Sequence, residues 1–234
     1  MTAVLLAHGS PDPRSQDAVL GAAAAVGART GTRVVAAFLD HDPRDLRAVV
    51  SALDPTDGVV ILPLLLSTAF HARVDVPAAV DTLDRTVTLL DPVGHPAPLV
   101  DALLLRCGGR AVVVSAGTRV DEERSAFAGA VAAASARTGV PALASFATGP
   151  GRRLEDATPP AGAVVVPWLL APGRLLDAVV AAARAHGCRT VGAGLIEEPV
   201  LLDTLAARVS ACAGARGGSP SWAGGTDRRS EGGS

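Results

Sequence analysis

Five histidines are spread through the 234 residues, and two of them stand where an imidazole would face a ligand. His8 lies in Ala7-His8-Gly9-Ser10-Pro11-Asp12, directly after the first apolar run of the chain. His71 lies in Leu66-Ser67-Thr68-Ala69-Phe70-His71-Ala72-Arg73-Val74-Asp75-Val76-Pro77, beyond the third apolar run. Two neutral imidazoles converging on one crevice can hold a divalent first-row metal, or accept the protons such a metal displaces. Asp40, in Phe38-Leu39-Asp40-His41-Asp42-Pro43, follows the second run and could supply the carboxylate that a metal-handling site often needs. Each residue also has a plainer reading. A His-Gly-Ser triplet suits a structural turn, where Gly9 admits close backbone approach and Ser10 and Asp12 serve as turn or cap residues. Asp42 before Pro43 reads as a helix cap, Asp75 with Pro77 as a helix start, and His41 as a surface residue. His95, between Gly94 and Pro96, reads as a loop residue, and His186 before Gly187 as a residue complementing a helix dipole.

For His8 and His71 to meet, the chain must bring the ends of its first and third apolar runs to one rim. Short Val- and Leu-rich runs alternate with Ala-rich stretches, the pattern of βαβ units winding a parallel sheet. Strands are expected near 3–7, 33–38, 58–65 and 87–90, with helices near 15–29, 43–53, 74–84 and 96–106. The order then recurs, with strands near 111–115, 141–146, 163–169 and 189–194 and helices near 121–137, 173–186 and 198–211. In an open sheet of this kind, ligands bind beyond the carboxyl ends of the strands, where all three candidate segments fall. The recurrence extends to residues. At an offset of 108, Gly9-Ser10 falls on Gly117-Thr118, Arg29-Thr30-Gly31 on Arg137-Thr138-Gly139, and Phe38 on Phe146; the offset becomes 104 where Pro63 meets Pro167. By these offsets His8 corresponds to Ala116, and the segment matching His71 reads Pro172-Gly173-Arg174-Leu175, so only the first half keeps the histidines. The expected organisation is a first half over 1–108, a degenerate second half over 109–213, and a disordered Gly/Ser/Arg-rich tail over 214–234.

Composition narrows the function classes. Hydrophobic residues make up 49% of the chain and aromatics only 3%, so a core of small and branched aliphatics is expected and base-stacking platforms are scarce. All 21 basic residues are arginine and the formal net charge is −2, with no basic run along the folded part. That argues against a nucleic-acid binder driven by phosphate neutralisation. With no lysine, no Gly-rich phosphate loop of the usual kind can be built, so ATP is not implied. Cys107, Cys188 and Cys212 have neither zinc-site spacing nor a disulfide framework and fit reduced cytoplasmic thiols. The N-terminus does not read as a signal peptide, and no stretch reaches the ~18 apolar residues of a membrane span, so a cytoplasmic protein without membrane attachment is expected.

Taken together, the His-Gly-Ser element, the Phe-Leu-acid element at Asp40, the run leading to His71-x-x-x-Asp75-Val76-Pro77, and Asp91-Pro92-Val93-Gly94-His95-Pro96 before Arg106 resemble the sirohydrochlorin chelatase and small cobaltochelatase family, the class II chelatases. The resemblance covers residues 3–106; over 111–211 it rests on the repeated architecture. It implies two similar halves, each a four-stranded parallel sheet flanked by helices, with a tetrapyrrole in the cleft between them. It implies that His8 and His71 take up the metal and assist loss of the two pyrrole protons, with an acid nearby. Asp40 stands where a glutamate is common and has a shorter arm. Fe(II) or Co(II) would be a substrate, with no tightly bound cofactor. Ser10, Arg14, Arg73 and Arg174, together with Arg119, are the candidates to meet the macrocycle and its carboxylates, because guanidinium groups pair with carboxylates bidentately. Trp168 joins Arg174 as a contact on the opposite wall. Two other readings stay open: a non-catalytic tetrapyrrole or metal carrier using the same cleft, and a hydrolase or phosphotransferase with His8 as nucleophile. A monomer is expected if the two halves complete one cleft, with a dimer left open.

Overall fold

The computed structural model describes residues 1–67, 74–151 and 162–214. The first half runs β1 (Thr2–Ala7), α1 (Pro13–Thr30), β2 (Arg33–Phe38), α2 (Leu46–Ser51), β3 (Val59–Pro63), α3 (Val76–Asp81), β4 (Thr88–Leu89) and α4 (Ala97–Cys107). The second runs β5 (Ala111–Ser115), α5 (Asp121–Thr138), β6 (Ala142–Phe146), β7 (Val164–Trp168), α6 (Arg174–Ala185), β8 (Arg189–Thr190), a 3₁₀ turn at Leu195–Glu197 and α7 (Pro199–Gly214). Each half holds one four-stranded parallel sheet, ordered β2-β1-β3-β4 and β6-β5-β7-β8. Burial explains the sequence of the central strands: β1, β3 and β7 are buried along their whole length, so each must be apolar on both faces.

The repeat is carried into the hydrogen bonds. Ala7 pairs with Phe38 as Ser115 does with Phe146, and Leu6 with Pro63 as Val114 does with Pro167. Helix α1 ends at Gly31, at φ 65°, whose N–H donates to Gly27 O; α5 ends at Gly139, at φ 71°, whose N–H donates to Ser135 O. Both pairs keep the offset of 108.

Alternation along β1 divides its side chains between two cores. Val4 and Leu6 pack outward with residues of α2 and α3. Ala3, Leu5 and Ala7 face a central core that also takes residues of α1, α4, α5 and α7 and of the second sheet. A third cluster lies between the second sheet and α6. The halves also exchange their last helices: α4 packs on α5, and α7 on α1. Matching ion pairs mark the two contacts, Arg137–Asp101 at 2.8 Å and Arg29–Asp203 at 3.0 Å. Exposed pairs of this kind contribute about 0–1 kcal/mol, whereas burying one leucine contributes about 1.5–3 kcal/mol. The shared core, with Leu103, Leu104, Leu201 and Leu205 essentially inaccessible, therefore joins the halves.

Several boundaries differ from those expected. Helix α2 starts at Leu46 rather than near 43, because the side chain of Asp45, not Asp42, caps it by accepting from Ala48 N–H at 2.7 Å. Asp42 instead accepts from Arg44 through both backbone and guanidinium. β8 stops at Thr190 rather than 194, since Gly192 and Gly194 adopt φ of 86° and 132°, outside any strand. Helix α7 runs through Gly214, one residue into the expected tail. The rest of the tail, 215–234, lies outside the described residues.

Candidate active site in the cleft

The segments leaving β1, β3, β5 and β7 at their carboxyl ends enclose a cavity of about 750 Å³ between the two sheets. A parallel sheet directs its strand ends and the loops after them to one edge, and here two such edges face each other. His8 lies in the wall one residue after β1, half-buried, and its carbonyl accepts from Asp40 N–H at 2.9 Å. Gly9 makes that turn possible. Its φ is 98°, and a Cβ on it would sit 1.8 Å from the carbonyl oxygen of Asp40.

Two expected site residues, His71 and Arg73, lie outside the described residues. Asp40 is placed on the rim: its side chain is 62% exposed, and its carboxylate accepts from His41 N–H at 2.7 Å and lies 3.3 Å from His41 Nε2. It is not among the residues lining the cavity. Ser10 lines the cavity while its Oγ accepts from Asp12 N–H at 3.1 Å, so it also serves the turn into α1. Asp12 caps α1 and chelates Arg14, at 2.7 and 3.0 Å. The same guanidinium donates to Asp177 of α6 at 2.6 and 3.3 Å. Arg14 thus ties the two halves together; the carboxylates raise its pKa, and its own hydrogen bonds pull Asp12 below the usual carboxylate range. To meet a substrate carboxylate it would have to leave Asp177. Arg174, at the start of α6, lines the cavity and has no ion pair among the described residues. Arg119 is not among the lining residues. Asp75 holds the cap position of α3 without a capping hydrogen bond.

Sequence reasoning passed over two lining residues. Glu123, in the first turn of α5, is 8% exposed and accepts from Ser67 Oγ at 2.8 Å, a contact across the halves. The repeat offset of 108 places Glu123 on Ser15, which also lines the cavity. His95 does lie in a loop, as expected, yet the loop is anchored to the end of β3, where Gly94 N–H donates to Leu65 O at 2.9 Å. Its ring enters the cavity against the second half. Trp168 Nε1–H donates to His95 Nδ1 at 3.0 Å, and the rings of Phe127 and Trp168 lie 5.3 and 5.8 Å away. Burial depresses the pKa of His95, while the charge of Glu123 opposes that shift. The cleft accordingly combines an apolar and aromatic lining with a few convergent polar groups, as small-molecule sites do.

Residues 2–108 match the CbiX family. No curated protein matches the chain by sequence. Among solved structures, SirB from Bacillus subtilis with Fe3+ superposes with a TM-score of 0.71 at 19% identity, over 89% of this chain and 93% of that one. The cobalt complex of the sirohydrochlorin chelatase SirB from Bacillus subtilis subspecies spizizenii gives 0.69 at 18% identity over the same shares. CbiX, described as the terminal enzyme for biosynthesis of siroheme in denitrifying bacteria, gives 0.65 at 20% identity, over 90% of this chain and 99% of that one. At such identities the likeness is one of fold, and it extends over both halves.

Proposed function

We propose, from the match of residues 2–108 to the CbiX family, that this protein is a chelatase that inserts Fe(II) or Co(II) into a sirohydrochlorin-type tetrapyrrole without ATP. The observation that carries the reading is His8 in the wall of a cleft of about 750 Å³ between two chelatase-like sheets. That volume lies within the range of about 300–1,000 Å³ usual for small-molecule sites. The iron and cobalt held by the SirB relatives support a metal substrate of this class.

The reaction forms metal–nitrogen bonds and releases two pyrrole protons and the metal's waters. It asks the protein for positioning, for partial dehydration of the ion and for proton acceptors. In this reading His8 and His71 receive the ion and the displaced protons, and each acts only as a neutral imidazole. Two carboxylates are candidates for the accompanying acid. Asp40 is offered by its sequence element, while Glu123 has the better position, buried in the cavity wall rather than paired with His41 on the rim. Arg174 is the arginine best placed to meet a substrate carboxylate, with Ser10, Arg14 and Arg73 as further candidates. A monomer suffices, since one chain supplies both walls. Cytoplasmic placement belongs to the same proposal; no helix of the described residues is long and apolar enough to cross a membrane.

Catalysis and mere carriage are separated by anaerobic absorbance of substoichiometric protein with sirohydrochlorin and either metal, against a protein-free blank. Conversion of many equivalents faster than the blank is expected. One equivalent bound with no acceleration would make the protein a carrier.

A further inference from the structure

The tryptophan contact fixes the chemistry of His95. An indole N–H can only donate, so Nδ1, which receives it at 3.0 Å, carries no proton. The recess of Phe127, Phe146 and Trp168 disfavours a charged ring, which leaves the single proton of a neutral imidazole on Nε2. Among the described residues nothing accepts from that N–H. Nor is Nε2 a sealed atom, since among the described residues the one fully buried side-chain polar atom without a partner is Gln16 Oε1. His95 therefore presents a donor to the cavity it lines.

Such a donor is unlike the chemistry assigned to His8. Nε2 can bind a metal or take a proton only if the proton moves to Nδ1, where it would face the indole N–H donor to donor. The contact with Trp168 thus keeps this imidazole from capturing the ion. What it can meet is an acceptor on the substrate, and the strongest acceptors at the edge of such a macrocycle are its carboxylates. On the chelatase reading, we infer that His95, held in one tautomer by Trp168, is a substrate-binding residue whose Nε2–H recognises a peripheral carboxylate of the tetrapyrrole. Trp168 acts through it as a positioning residue.

The test is equilibrium binding of metal-free sirohydrochlorin, followed by absorbance, to wild type, His95→Ala and His95→Gln. Loss of a hydrogen bond to a charged group raises Kd about ten- to hundredfold, so His95→Ala should weaken binding by that factor. His95→Gln, which keeps an N–H donor, should recover most of the loss. With the methyl-esterified macrocycle, whose ester carbonyls accept more weakly than carboxylates, the loss in His95→Ala should shrink about tenfold. Equal binding of the free acid by wild type and His95→Ala, or an equal loss with the ester, overturns the assignment. Histidine ¹⁵N NMR of the wild-type protein supplies a readout independent of ligand: an Nε2–H tautomer that Trp168→Phe releases is expected, and an Nδ1–H tautomer overturns it. Macrocycle binding that depends on His95, in a protein that never inserts metal, would reject the chelatase reading and keep this one. A wild-type protein that binds no macrocycle would reject both.

Discussion

Replacing Gly9 by alanine, and separately Gly117 by alanine, imposes almost the same strain on the two halves while touching the proposed chemistry in one. Gly9 has φ 98°, and a Cβ would lie 1.8 Å from the Asp40 carbonyl oxygen; Gly117 has φ 103°, and its Cβ would lie 2.0 Å from that of Thr148. An L side chain in this region costs about 1–3 kcal/mol. Relief of the clash must also push the carbonyl away by more than an ångström. That loosens the bond from Asp40 N–H to His8 O, or from Thr148 N–H to Ala116 O, each 2.9 Å, at about 0.5–1.5 kcal/mol. Each variant should thus lose about 2–4 kcal/mol, a fall in Tm of roughly 4–16 °C at about 2–4 °C per kcal/mol for a chain of this size. Only Gly9→Ala shifts His8. A displacement of about 1 Å at a reacting group can cost a hundredfold, so insertion by Gly9→Ala should fall by about that factor. Gly117→Ala, whose neighbour is Ala116, should lose far less. Thermal unfolding and anaerobic insertion rates, taken where both variants are folded, give the comparison. Equal inactivation at equal stability would refute the argument that the chemistry belongs to the first half.

The two carboxylate candidates are separated by their isosteric amides. Glu123→Gln should slow insertion about tenfold or more, as loss of a cavity charge or acceptor does, and Asp40→Asn should cost less because its carboxylate is on the rim; initial rates at saturating metal decide, and the reverse order would return the role to Asp40. For His95, burial lowers the folded-state pKa below its unfolded value. Its stabilising effect is therefore complete above about pH 6.5 and is lost as the pH falls through the depressed folded value, because the unfolded chain takes up the proton first. Urea midpoints should decline below pH 6.5 in the wild type, and the slope should flatten in His95→Gln; an unchanged slope would place the titration elsewhere.

The sequence carried the fold through positions where local chemistry leaves no choice. Arg29-Thr30-Gly31 and Arg137-Thr138-Gly139 recur because both helices end the same way, in a left-handed glycine with the threonine hydroxyl donating to Val26 O or Ala134 O. The start of α2 was missed because three aspartates, at 40, 42 and 45, compete as caps and only backbone conformation selects Asp45. The exchange of α4 and α7 between halves was not legible at all, since an apolar helix face records that the helix is buried and not which partner covers it. The site divides on similar lines. His8 was visible because a residue just beyond a central parallel strand has only one edge to reach. His95 and Glu123 take their meaning from Trp168 and Ser67, which reach them from the opposite half, and no local pattern carries that information.

The most direct measurement of the central claim is the multiple-turnover rate of metal insertion into sirohydrochlorin by wild type and His8→Ala, side by side and against the protein-free rate. The account predicts that wild type turns over many equivalents, while His8→Ala falls to the protein-free rate with its circular dichroism and Tm unchanged. A His8→Ala protein that is folded and as fast as wild type would contradict it.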